Sequence, residues 1–318
     1  MRSWMPRLTP ALLALALAVL AAALPSAAVA GTGPCLPDQA NPSCQIWSGK
    51  VTSVKDGDTL DVDIAGDGTR KARRVRLTGI QAMEQRVYSS RASRRRGDCH
   101  ALEATARFER LVRAGRGAVR LSARRAESRT GSRLRRSVAV RIGGRWRDVG
   151  STLVAEGHAL WLPNGVEYAW NDTYRRLAQQ AADAARGLWH PQSCGRGPSE
   201  QAKLRLGLQW DAQGIDYLNV NGERITLANL DPTTEVPLGG WSVRDSALRR
   251  YTFPSWARIP AGGRIDVHVG AGTSTPGSLF WGLRAPVFEN ATRDARAMGD
   301  GAYLFDPDGD LRAWSMYS

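Results

Sequence analysis

Past residue 45 of this 318-residue chain, apolar residues fall at helical spacing only between His100 and Gly187. Everything before and after that stretch reads as short strand-like segments between turns. Alternation marks strands near Gln45–Val54, Thr59–Ile64 and Arg73–Thr78, with Gly66-Asp67-Gly68 as a turn. A helix is expected near His100–Arg113, where Ala101, Leu102, Ala104, Phe108, Leu111 and Val112 share a face. Strands follow near Ala118–Ala123 and Ser137–Ile142. A short helix is expected from Ser151, taken as its N-cap, to Gly157, and a last one from Asn171-Asp172 to Gly187. Gly195-Arg196-Gly197-Pro198 reads as a linker. Beyond it no convincing helix appears, and the turns Asn221-Gly222, Gly239-Gly240, Ala261-Gly262-Gly263 and Asp308-Gly309 are spaced as in an all-β sandwich. The implied architecture is an α+β unit followed by an all-β unit.

Residues 1–30 carry the three parts of a secretory signal: Arg2 and Arg7, an apolar run from Ala11 to Leu24, and Ala28-Val29-Ala30 with cleavage expected after Ala30. The run is short for a bilayer span and is broken by Pro25. A secreted chain with four cysteines suggests two disulfides out of three possible pairings. The favoured set is Cys35–Cys44, stapling an N-terminal arm over residues 31–45, and Cys99–Cys194. No Cys-x-x-Cys spacing supports zinc.

The formal charge of +14 is unevenly placed. Residues 31–200 hold 30 Lys and Arg against 17 Asp and Glu, whereas residues 201–318 hold 12 against 13. Between Arg86 and Arg147 there are 19 arginines and only Asp98, Glu103, Glu109 and Glu127 to oppose them. A field of that sign favours a polyanion, either nucleic acid or an anionic cell-envelope polymer. Within it, Arg94, Arg95 and Arg96 read as a steering patch.

Two segments carry candidate chemistry. Val54-Lys55-Asp56-Gly57-Asp58-Thr59-Leu60 sets two carboxylates either side of a glycine, and Arg76-Leu77-Thr78-Gly79-Ile80-Gln81-Ala82-Met83-Glu84 runs from a strand arginine to a loop carboxylate. Their order, spacing and strand pattern over residues 46–194 resemble the staphylococcal-nuclease (thermonuclease) family. The resemblance implies an OB-like five-stranded barrel with three helices and calcium-dependent hydrolysis of DNA or RNA. By position, Asp58 corresponds to the metal carboxylate and Asp56 to its outer-shell neighbour. Arg76 corresponds to the first phosphate arginine and Glu84 to the group that manages the attacking water. Arg136 fits the second phosphate arginine, with Arg135 as a one-residue-shifted alternative. The chain departs from the family where Gln81 and Met83 replace Asp and Pro. Calcium would then rest on Asp58, the Gln81 amide oxygen and the Ala82 carbonyl, a weakened shell.

After a linker at residues 195–201, residues 202–318 resemble the lamin-tail domain, an immunoglobulin-like sandwich. The pattern runs through Gly240-Trp241-Ser242-Val243-Arg244-Asp245, Leu279-Phe280-Trp281-Gly282 and final strands near Gly301–Phe305 and Leu311–Tyr317. Such a domain would tether or target the protein through envelope polymer or protein. Asp306-Pro307-Asp308-Gly309-Asp310 reads as a hairpin turn in preference to a calcium loop. Two functions are therefore in play. One is a secreted calcium-dependent nuclease of low sequence specificity. The other is a non-catalytic extracellular protein that binds nucleic acid or envelope polymer through a degenerate site.

Overall fold

The computed structural model describes residues 31–40, 42–190, 192–193, 202–288 and 299–317. The signal segment, the linker and Cys194 lie outside the described residues.

The first unit is a closed five-stranded barrel. Strand β1 (Gly31–Pro34) lies on the edge of β2 (Ser43–Val54), which continues to β3 (Thr59–Ile64) and β4 (Arg73–Leu77). Helix α1 (Ala101–Ala114) then leads to β5 (Ala118–Ala123) and β6 (Arg133–Ile142). Strand β6 runs parallel to β4 and antiparallel to β5, and β5 returns to β2, so the sheet closes in the order β2-β3-β4-β6-β5. Closure needs curvature, and a register shift between Val51 and Ser53 bends β2 against β3. Alternation does the rest: in β3, Leu60, Val62 and Ile64 are buried while Asp61 and Asp63 are half-exposed. These side chains meet Trp47, Val75, Leu77, Leu121, Val138 and Val140 in one core.

Three helices cover the barrel. Helix α1 buries Ala101, Ala104, Thr105, Phe108, Leu111 and Val112, the spacing expected of one apolar face. Strand β7 (Arg145–Asp148) pairs with β6 and feeds α2 (Val149–Ala155). The sequence placed the cap of α2 at Ser151; it is Asp148, whose carboxylate accepts from the Ser151 amide at 2.7 Å. The same carboxylate accepts from Tyr174 on α3 (Asn171–Asp183) at 2.6 Å. The four largest fully buried side chains are tryptophans 47, 161, 170 and 189, which serve as core and not as base-stacking platforms. The Cys35–Cys44 disulfide is formed and Cys99 is disulfide-bonded.

The second unit is a sandwich of two four-stranded sheets. One contains β8 (Leu204–Gln209), β9 (Arg224–Asn229), β12 (Arg264–His268) and β13 (Ser278–Phe280). The other contains β11 (Arg250–Thr252), β10 (Ser242–Asp245), β14 (Asp300–Phe305) and β15 (Leu311–Tyr317). Leu206, Ile225, Leu227, Val243, Val267 and Leu304 fill the space between them. The Asp306–Asp310 segment is a hairpin turn, closed by the Asp306 amide on the Asp310 carbonyl at 3.0 Å. Arg312 neutralises both of those carboxylates at 2.7 and 3.0 Å. Among the described residues no helix is long and apolar enough to cross a membrane.

At the start of α1, His100 and His158 meet through Nε2 and Nδ1 at 2.9 Å with their rings stacked. Burial, with His100 adding to it, lowers the His158 imidazole to about 4, against opposition from Glu156 and in the company of Arg107 and Arg110. The folded protein therefore holds this ring neutral, while the unfolded chain takes up a proton below its ordinary value of about 6.5. Stability from this group is full above about pH 6.5 and is lost as pH falls toward 4. The melting temperature should drop across that window, and His158→Asn should shallow the drop. Equal slopes for the two proteins would show that the pair does not control acid stability.

Candidate functional site

The Asp56-Gly57-Asp58 turn, the end of β4 and the loop from Ile80 to Glu84 meet at one end of the barrel. The turn can approach the loop because residue 57 has no side chain. A Cβ there would lie 2.5 Å from Ala82 Cβ and 2.7 Å from Ala104 Cβ. Gly79 makes the bend into the loop at φ +74°, tight against the Tyr174 ring. Ile80–Gln81 then pairs with Leu160–Trp161, which fixes where Gln81 points.

At the centre lies a buried ion pair. Arg76 Nη1 is 2.5 Å from Asp58 Oδ1, and both side chains are almost fully buried. Thr59 donates to Asp58 Oδ1 at 2.9 Å, and the Ala82 amide donates to Oδ2 at 2.8 Å. Asp56 accepts from the Asp58 amide at 3.0 Å. Burial pushes the Asp58 carboxyl up, and the Arg76 guanidinium opposes it. The second nitrogen of Arg76, Nη2, donates to the Gln81 amide oxygen. That contact turns the Gln81 amide nitrogen outward, where it donates to the Ala82 carbonyl at 2.9 Å and to Glu84 Oε1 at 2.8 Å. Glu84 itself is exposed. Asp56, Asp58, Arg76, Gln81, Ala82 and Glu84 thus converge from three separate segments.

As a calcium shell this set is poor. Calcium takes roughly six to eight oxygen ligands. Here each Asp58 oxygen already faces an N–H or O–H donor, the Gln81 oxygen faces a guanidinium, and the Ala82 carbonyl faces the Gln81 amide nitrogen. Arg76 supplies the positive charge that a cation would otherwise bring. Among the described residues no group of three or more His, Cys, Asp or Glu gathers as a metal shell. The residues as arranged do not fit the ion.

The second phosphate arginine requires a correction. Arg136 is 2% exposed. Its guanidinium lies 4.3 Å from the Trp47 ring centroid and donates to the carbonyls of Ala126, Ser128 and Arg135. Arg135 instead stands opposite Arg76 in the parallel β4–β6 register, half-buried and within reach of its charge. A one-residue shift along a strand changes the face, which is why the sequence alone could not separate the two. Of the steering arginines, Arg94 and Arg96 are exposed, whereas Arg95 is used to hold its loop. Arg95 donates to the Ser89 carbonyl and to Glu109 of α1, both at 2.8 Å.

One residue escaped the sequence reading. Tyr88, on the loop after Glu84, has its hydroxyl pushed up chiefly by burial and then by the charges of Asp56, Glu84 and Asp58. Tyr88 itself stays 55% exposed. An aromatic four residues beyond the loop carboxylate was the available signal. A cavity of about 450 Å³ opens beside it, lined by Lys55, Ser89, Ser90, Arg95 and Glu109 among others.

Residues 212–318 match the family model of the lamin tail domain. The match starts after β8, which pairs with β9 in the same sheet. The barrel matches no nuclease family. Among curated proteins none matches the chain.

Arg136→Met should destabilise the protein by roughly 2–4 kcal/mol, because three buried carbonyls lose a charged donor. Arg135→Ala should stay within about 1 kcal/mol of the parent in denaturant unfolding, as its partly exposed position allows. Equal losses would reverse the assignment of the two side chains.

Proposed function

We propose that this is a secreted nucleic-acid-binding protein whose barrel grips the phosphate backbone through Arg135 and the exposed arginines of the loop after Glu84. The observation that carries this reading is the parallel register that sets half-buried Arg135 beside the Arg76–Asp58 pair, with Arg94 and Arg96 exposed on the loop after Glu84. Guanidinium forks match phosphate oxygens, and a backbone contact needs no base recognition. The Cys35–Cys44 disulfide accords with an oxidising compartment, as the signal-like residues 1–30 suggest. The lamin tail domain adds a binding module, for which envelope polymer and protein are the partner classes.

A second reading, hydrolysis of the bound phosphodiester, is favoured by one feature. Glu84 projects an exposed carboxylate beside the arginines and is held at 2.8 Å by Gln81. A carboxylate so placed can orient water toward phosphorus, with the arginines opposing charge on the phosphoryl oxygens. Gln81 stands against the calcium-dependent form of this reading, because it contributes an amide where a second carboxylate would draw a cation.

Residues 31–318 should bind a labelled DNA or RNA duplex with affinity that falls steeply with salt. Arg135→Ala should reduce the slope of log K against log salt by about one. Calcium and chelator should leave wild-type binding unchanged, whereas Gln81→Asp should introduce a calcium response. Absence of any salt-sensitive binding would remove the proposal. Plasmid cleavage that disappears in Glu84→Ala would move the second reading ahead of the first.

A further inference from the structure

The sandwich does more than follow the barrel along the chain. A third buried cluster joins Met83, Ala101, Leu160 and Trp189 of the first unit to Tyr303 and Phe305 of β14. Trp189 meets Trp314 edge-on at 4.9 Å and Tyr303 at 6.4 Å. The contact includes the site loop itself, because Met83 lies between Gln81 and Glu84 and is 6% exposed.

Onto that methionine the sandwich lowers a charged side chain. Arg244 of β10 is also 6% exposed. Its guanidinium carbon sits 4.7 Å over the Phe305 ring, and Nη2 lies 3.7 Å from Met83 Sδ. Among the described residues Arg244 makes no ion pair, and its Nε has no partner. A guanidinium buried without a carboxylate is costly unless a nearby charge offsets it. Burial and then the like charge of Arg250 work against its charged form, while Tyr303 and, from the first unit, Glu84 and Asp98 support it. These two residues are themselves joined, the Asp98 amide donating to the Glu84 carbonyl at 2.9 Å.

We infer that Arg244 is a positioning residue, and that the second domain clamps the Met83 turn through Arg244 and Phe305, fixing and partly offsetting Glu84 at the candidate site. The two domains then build one site. The clamp stands on its own geometry, and only its effect on oligonucleotide affinity rests on the function proposed above. A Glu84 charge left without Arg244 repels incoming phosphate, so the loss should appear in affinity as well as in stability.

The test uses the full mature chain. Unfolding free energies are measured for Arg244→Met, Met83→Ala, Glu84→Gln and the two double variants that contain Arg244→Met. Side chains in contact or charge coupling are non-additive, so both cycles should show coupling, and additivity in either overturns the proposal. In parallel, Arg244→Met should weaken binding of a labelled oligonucleotide duplex by about 5-fold, with partial recovery in Arg244→Lys. In the Glu84→Gln background the same change should have no effect. A 5-fold loss that persists in that background would reduce Arg244 to a packing residue. If the wild type binds no oligonucleotide, the proposed function fails while the unfolding cycles still decide the clamp.

Discussion

The buried Asp58–Arg76 pair is the interaction on which the rest of the site depends. Asp58 belongs to the turn between β2 and β3, and Arg76 to β4. The loop beyond β4 contributes the Ala82 amide to one partner and the Gln81 oxygen to the other. Taking two charges out of water costs several kcal/mol per ion, and it is offset only when the remaining donors and acceptors are filled. Here they are, by Thr59, Ala82 and Gln81. The arrangement therefore locks three segments together at 2.5–2.9 Å, and a change that removes one member leaves a buried charge behind. Gly57 permits it sterically, since any side chain there would push the turn off Ala82.

Net charge gives a coarser picture than the placement of individual arginines. The excess of Arg between residues 86 and 147 points to a field that favours a polyanion partner. Several of those arginines are instead structural. Arg136 is enclosed against Trp47, Arg95 ties its loop to α1, and Arg107 pairs with Glu156 at the end of α2. What remains for a partner is the set that stays exposed, including Arg91, Arg94 and Arg96 near the site and Arg141, Arg145 and Arg147 on β6 and β7. Surface charge of this kind sets association rate and salt dependence, and on the function proposed above the half-buried Arg135 would be the residue that holds a phosphate against the barrel.

Much of the fold was legible because it is written locally. Thr59–Ile64 alternates with period two and forms a strand over those residues, and the apolar face of α1 is visible in its spacing. The site segments were legible for the same reason: Asp56, Asp58, Gln81 and Glu84 sit in short motifs with distinctive turns. Features set by tertiary contact were not. Arg135 and Arg136 differ by one residue, and only the pairing of β6 with β4 decides which one faces Arg76. Asp148 caps α2 because β7 delivers it there, and Tyr174 and Ser137 then share its carboxylate. Arg244 carries no local signature, since it gains its role from residues distant in the chain.

The two departures in the site loop have a common physical consequence. Proline fixes its own φ and so stiffens a loop from within. Methionine has no such constraint, but it can be held from outside by packing, and Met83 is buried against Arg244 and the cluster around Phe305. An aspartate at position 81 would add a second negative charge beside Asp58, which a cation would have to bridge. Glutamine supplies one acceptor for Arg76 and donors for Ala82 and Glu84, so the loop closes on the protein's own groups. Where the nuclease motif it resembles has proline and aspartate, this loop has Met83, packed against Arg244 of the second unit, and Gln81, bonded to Arg76. The orientation of Glu84 then becomes a property of both domains, because Gln81, three residues before it, is held by Arg76 and Met83, just before it, by Arg244.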